Sequence, residues 1–354
     1  MAADITLEPI LEPDLGIIDA HHHLWFLPDA LLNALEEHPS AGVRALAPAF
    51  RRNRRYLLDE FLKDVSDGHH IQSSLFMDCN AMYRADGPDE LKSVGEVEFV
   101  NGVAAMSASG LFGSVRVATA IVGGVDLSAG ESVDRILEAH MQAGGSRYRG
   151  IRGARIAYDA DDSIVGAGAG IPHLMLDERF HAGFRRLARL GLSFDVFLLE
   201  PQLPELIQLA RAHPDTAIIL NHVGGPVGIG HYSGKRAERF PIWRDNIMTL
   251  SRCPNVNVKL GGLGIPFAGL PSHGTKARST SAQLADEWRP YIETCIEAFG
   301  VHRCMFESNF PVDSGVCSYR VLWNAFKRLT MGASREEKAA LYSGTAARVY
   351  RLEV

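Results

Sequence analysis

The chain has 354 residues, 46% of them hydrophobic and 22% charged, the balance of an ordinary globular protein with material for one large core. A net charge of −6 and a pI near 6.2 exclude a general nucleic-acid binder, and no apolar run approaches the ~18–20 residues that span a bilayer. The start, MAADITLEPILEPDLG, carries acids where a secretory leader needs bases, and Cys79, Cys253, Cys295, Cys304 and Cys317 form no C-x-x-C, so a cytoplasmic chain with buried thiols is expected.

Residues 16–20 read as a first short strand that runs straight into His21, His22 and His23. Strand side chains alternate, so His21 and His23 project to one side as paired ligands for a zinc-like ion or paired donors to an anion. Trp25, next in line, is a candidate substrate contact. A helix pattern at 56–66 precedes a second strand at 71–78, and a third strand at 115–123 precedes a helix at 132–145. A fourth strand at 148–153 leads to a helix at 177–191, and a fifth at 192–200 to a helix at 204–213. The sixth strand is read at 216–226, the seventh at 255–262 with a helix at 284–300, and the eighth at 303–308 with a closing helix at 334–352. Eight strands with mostly helical crossovers predict an α/β fold, a (β/α)8 TIM barrel rather than an open doubly wound sheet. It is expected as a single domain over 1–354, with a core at about 16–352 and residues 1–15 as an N-terminal extension. No G-x-G-x-x-G opens a helix and no phosphate-binding loop motif is present, so nucleotide binding has no support.

In such a barrel the chemistry sits at the C-terminal ends of the strands. The first strand offers His21 and His23, the fourth Arg152 and Arg155, the fifth Asp195 and Glu200, and the sixth His222 before Gly224-Gly225-Pro226. The seventh carries Lys259, and the eighth runs into Glu307-Ser308-Asn309-Phe310-Pro311-Val312-Asp313. Arg152, Arg155 and Lys259 are candidates for holding a substrate carboxylate through charge-assisted hydrogen bonds, or are ordinary salt-bridge partners. Long Gly-, Ser- and Pro-rich loops after strands four, six and seven are expected either as plain surface or as a partial lid carrying His231, Tyr232, His273 and Lys276. KRAER at 235–239 reads as a solvated face.

IIDAHHHLW, NHVGGP and CMFESNFPV, in that order and at those strand ends, resemble the amidohydrolase superfamily. The nearest branch includes the fuconolactonases, rhamnonolactonases and 2-pyrone-4,6-dicarboxylate lactonases. The resemblance implies a TIM-barrel hydrolase in which water attacks a carbonyl carbon. In its metal-dependent members first-strand histidines, a sixth-strand histidine and an eighth-strand aspartate surround the ion and the water, while some lactonases of the branch work without a metal. Two departures stand out. The fifth strand ends in Phe197-Leu198-Leu199-Glu200, without the histidine that many metal-dependent members have, and no bridging lysine is evident on the fourth, which argues against a two-metal site. Asn309 stands where the family has its catalytic aspartate, and a carboxamide cannot take a proton from water.

Three repairs are open. Glu307 is a relocated base, or else a barrel-interior acid paired with a residue such as Lys259. Asp313 is a second base, or a turn residue after Pro311. Otherwise His222 takes the proton and no carboxylate base is needed. The expected activity is the opening of a lactone or similar cyclic ester of an anionic small molecule. One divalent ion, zinc first, is held by His21, His23 and His222, with a metal-free route kept open. Decarboxylation of an aromatic or muconate-type acid is the alternative, and a non-catalytic ligand-binding barrel the second. No nucleic acid or membrane partner is expected, and a homo-oligomer is allowed for.

Overall fold

The computed structural model describes residues 7–274 and 278–352. Eight parallel strands follow one another around the sheet in chain order. They are β1 (Ile17–His22), β2 (Ile71–Met77), β3 (Arg116–Val125), β4 (Tyr148–Gly153), β5 (Ser193–Val196), β6 (Ile218–Leu220), β7 (Val256–Leu260) and β8 (Cys304–Phe306). Closure comes just past β8, where Asn309 N–H donates to the His21 carbonyl at 2.9 Å and His23 N–H to the Phe310 carbonyl at 2.8 Å. The expected (β/α)8 barrel is therefore the architecture found.

The two-residue period of the strands separates two cores. Ile18 and Ala20, Leu75 and Met77, Ala120 and Val122 alternate into an inner cluster with Ile219, Met305 and Tyr350. The intervening Ile17, Phe76 and Ile121 face the surrounding helices in the larger cluster. Among those inner side chains Lys259 donates to Asp195 at 2.9 Å, both fully buried. Asp195 also accepts from Tyr350 and from Ser193. Asp195 on β5 and Lys259 on β7 meet because alternate strands of such a barrel contribute to one layer.

The helices are α1 (Asp29–Glu36), α2 (Ala41–Arg52), α3 (Leu58–Val65), α4 (Val94–Ala108), α5 (Val133–Gly144), α6 (Glu178–Leu190), α7 (Leu203–Ala212), α8 (Arg236–Leu250), α9 (Ser281–Phe299) and α10 (Tyr319–Leu329). Shorter helices at Arg335–Ala339 and Thr345–Tyr350, joined by a wide turn, replace the single closing helix expected at 334–352. The fifth and sixth strands stop earlier than expected. His222, Val223, Gly224 and Gly225 take φ of 55°, 47°, 78° and 54°, a left-handed run that no strand accommodates. KRAER leads into α8 with Arg236, Ala237 and Glu238 exposed, as a solvated face requires, while Arg239 turns inward and forms a double hydrogen bond with the buried Glu200. All five cysteines are free thiols, and no described helix is long and apolar enough to cross a membrane.

Candidate active site

The end of β1 sorts its three histidines by alternation. His22 turns outward and stacks on Phe61, ring centroids 4.1 Å apart, while His21 and His23 turn inward with their Nε2 atoms 3.2 Å apart. His23 Nδ1–H donates to the Met77 carbonyl at 2.8 Å, which leaves its Nε2 as a lone pair. His222, swung inward by the left-handed turn after β6, lies 4.7 Å from His21, ring to ring.

Glu307 stands behind these rings. Its Oε1 accepts from His222 Nδ1 at 2.7 Å and from His222 N at 3.0 Å. Its Oε2 lies 2.8 Å from His21 Nδ1, close but off the hydrogen-bond direction. A carboxylate that close favours the proton on each Nδ1 and turns both Nε2 lone pairs away from it. Burial holds His21 well below the ordinary imidazole range, with the charge of Lys259 adding to it. Burial does the same to His23, with Arg152 adding. These two rings are neutral at pH 7.

With the proton on each Nδ1, the two Nε2 lone pairs 3.2 Å apart repel, and a cation that accepts both removes the repulsion. Tetrahedral bonds of ~2.0–2.1 Å from nitrogen to zinc would put two ligand nitrogens ~3.3 Å apart, close to the spacing found. Asn309 adds an oxygen. Its Nδ2 donates to Asp313 Oδ1 at 2.7 Å, and its Oδ1 lies 3.2 Å from His23 Nε2. The donor set therefore fits a divalent cation. Asp313, fully buried, also accepts from Gly264 N at 3.0 Å, and burial raises its carboxyl to about 8 against the opposing hydrogen bonds. It orients Asn309.

A cavity of about 600 Å³ opens above this group, lined among others by His23, Trp25, Asp78, Arg152, His222 and Asn309. Trp25 lies nearly parallel to His23, at 5.9 Å, and its indole N–H donates to the Asn53 carbonyl at 2.7 Å. Arg152 donates to the Asp78 carbonyl and lies 5.5 Å over the Phe197 ring. Arg155 also lines the cavity, half-exposed, 3.6 Å from Asp126.

Other expected residues lie elsewhere. Lys259 is taken up by Asp195 inside the barrel, so it neither lines the cavity nor pairs with Glu307. Glu307 does not line this cavity, and its two oxygens face His21 and His222. Asp313 is turned to Asn309 and the Gly264 amide. His231 packs on Tyr232, and Tyr232 under Arg239, away from the cavity. His273 folds back on its own turn, its Nε2 2.9 Å from the Leu263 carbonyl and its Nδ1 accepting from Leu270 N. Lys276 lies outside the described residues.

Asp78, at the end of β2, is a cavity residue that the strand-end reading passed over, although LFMD shows it. Its Oδ2 accepts from Tyr83 at 3.0 Å. Beside it the Glu96 carboxyl, buried on α4, is raised well above its usual range by burial and by Asp78. Glu96 also accepts the Cys79 and Ala81 amides and so shapes the chain leaving β2.

Gly262 guards the ring of His222. Its φ is +66°, and a Cβ there would stand 2.2 Å from His222 Nδ1. Gly262→Ala is expected to displace that ring, lowering turnover at least tenfold and stability by about 1–3 kcal/mol, read by kinetics and thermal unfolding.

Comparison with known proteins places the chain in a family. The amidohydrolase family pattern matches residues 18–352. The protein y4mH of Sinorhizobium fredii is 34% identical over 342 residues, covering 96% of this chain and 99% of that one. An L-fucono-1,5-lactonase of Burkholderia multivorans is 29% identical over 238 residues, 66% of this chain and 71% of that protein. A solved amidohydrolase from Burkholderia multivorans with bound zinc superposes with a TM-score of 0.69 at 25% identity, covering 95% of this chain and 99% of that one. With its family pattern running from β1 to the last helix, the chain belongs to the amidohydrolase family and is a hydrolase.

Proposed function

We propose that this hydrolase opens a lactone or similar cyclic ester of a carboxylated small molecule by attack of water on the carbonyl. The observation that carries the reading is the meeting of the His21 and His23 Nε2 atoms, with Asn309 Oδ1 beside them, at the floor of a cavity that Arg152 enters. His21, His23 and Asn309 would hold one divalent ion, and a nitrogen-rich set of this kind suits zinc. When bound, such an ion polarises a carbonyl and makes water more acidic. Of the two roles expected for His222, we assign it proton transfer. Glu307 holds its Nδ1–H, so Nε2 is the acceptor, and the carboxylate stabilises the imidazolium that forms. Glu307 is then a positioning residue rather than the base itself, and Asp313 positions Asn309. Arg152 supplies the charge that holds a substrate carboxylate.

His222→Gln is expected to lower kcat by about 10²–10⁴-fold while the chain retains its ion, measured by steady-state kinetics with elemental analysis. The reaction itself is tested on a panel of carboxylated lactones and hydroxybenzoates. One acid equivalent released per turnover, without carbon dioxide, is the expected result. Release of carbon dioxide, or no turnover across the panel, would overturn the reading.

A further inference from the structure

The cavity is chemically divided. Its polar side chains, His23, Asp78, Asn80, Arg152, Arg155, His222 and Asn309, come from the ends of β1, β2, β4, β6 and β8 and the turns that follow them. Its outer wall is apolar. Leu27, Leu31 and Leu35 recur every four residues into and along α1, and Val43, Leu46 and Phe50 recur at helical spacing along α2. Each helix thus turns one apolar stripe to the cavity. Facing them are Val165, Ile265, Phe267 and Val312. Among the described residues no Ser, Thr, Tyr or Gln lines the cavity, and the side chains that α1 and α2 turn to it offer a hydroxyl no partner. At the polar end no carboxylate among the described residues pairs with the Arg152 guanidinium, whose contacts are a carbonyl and a ring face.

We infer that the substrate is amphipathic: a cyclic ester whose ring and anionic group sit at the barrel mouth, bearing an alkyl or aryl substituent that lies against α1 and α2. It is not a polyhydroxylated sugar lactone, in contrast to the fuconolactone of the Burkholderia multivorans L-fucono-1,5-lactonase. Each methylene removed from water on this wall strengthens binding about three- to fourfold. Each buried hydroxyl left unpaired weakens it about tenfold. The inference takes the position of the reacting ring from the hydrolase reading, but the selectivity can be tested without turnover.

The test is calorimetric titration of the full chain, loaded with zinc, with butanoate, hexanoate, octanoate and gluconate. Affinity is expected to rise about three- to fourfold per methylene along the first three. Gluconate, with six carbons like hexanoate, should bind at least tenfold more weakly. Arg152→Gln should weaken all four by a similar factor and leave the increment per methylene intact. Leu31→Ser, at a position 45% exposed, should weaken octanoate about fivefold and leave butanoate unchanged. Gluconate binding as tightly as hexanoate, or an affinity independent of chain length, would overturn the inference. A rising series with no lactone turned over would leave the apolar-site inference standing and defeat the hydrolytic reading instead.

Discussion

His23→Ala is expected to abolish turnover, to below about 10⁻⁴ of the parent kcat, and to strip the bound ion at the same time. His23 is the hub of the donor group: its Nε2 lies 3.2 Å from His21 Nε2 and 3.2 Å from Asn309 Oδ1, and its Nδ1 is tied to the Met77 carbonyl. Under the proposed function, removing it would take away the central ligand and, with it, the arrangement that would polarise a carbonyl. The ring is nearly fully buried but sits at a cavity floor, so its loss enlarges existing space and the fold should survive. Kinetics, elemental analysis and circular dichroism on one preparation check the three parts together. A folded variant that keeps both its ion and its turnover would count against the assignment.

The second large effect is on stability. Lys259→Met should cost about 3–5 kcal/mol, because it leaves the Asp195 carboxylate inside the barrel without its cation. Tyr350 and Ser193 still donate to Asp195, but neither neutralises it. For a chain of this size the unfolding midpoint should fall by roughly 4–7 °C. Replacing both partners, Lys259→Met with Asp195→Leu, should recover part of the loss, because no charge is then left desolvated. A double-mutant cycle by thermal and denaturant unfolding separates this pair effect from simple loss of packing.

The strand-end logic explains how much of the site the sequence discloses. Period-two alternation alone predicts that His21 and His23 share a face and that His22 does not, and the stacking of His22 on Phe61 agrees. Glu307 and Asn309 are flagged by position, but their partners are not. The first bonds to His222, 85 residues away, and the second meets His23, 286 residues away, and only barrel closure brings these together. Lys259 misleads for the same reason: a basic residue on a barrel strand looks like an anion anchor until its layer partner Asp195 is known. The helices α1 and α2 escape notice because Pro28, Pro39 and Pro48 punctuate the stretch, and Pro48 lies inside α2 itself. That omission matters, since these helices supply the apolar wall. α4 escapes because its glycines and valines favour no helix, although its lone buried acid, Glu96, marks a polar partner at the end of β2.

The central claim, that inward-facing imidazoles at the barrel mouth gather one divalent ion required for turnover, is tested most directly by chelation followed by titration. The purified chain is stripped with a chelator, and zinc is returned stepwise while lactone opening is followed. Activity should vanish on stripping, rise linearly with added zinc, and break at one equivalent per chain. Undiminished turnover in the fully stripped protein would contradict the account.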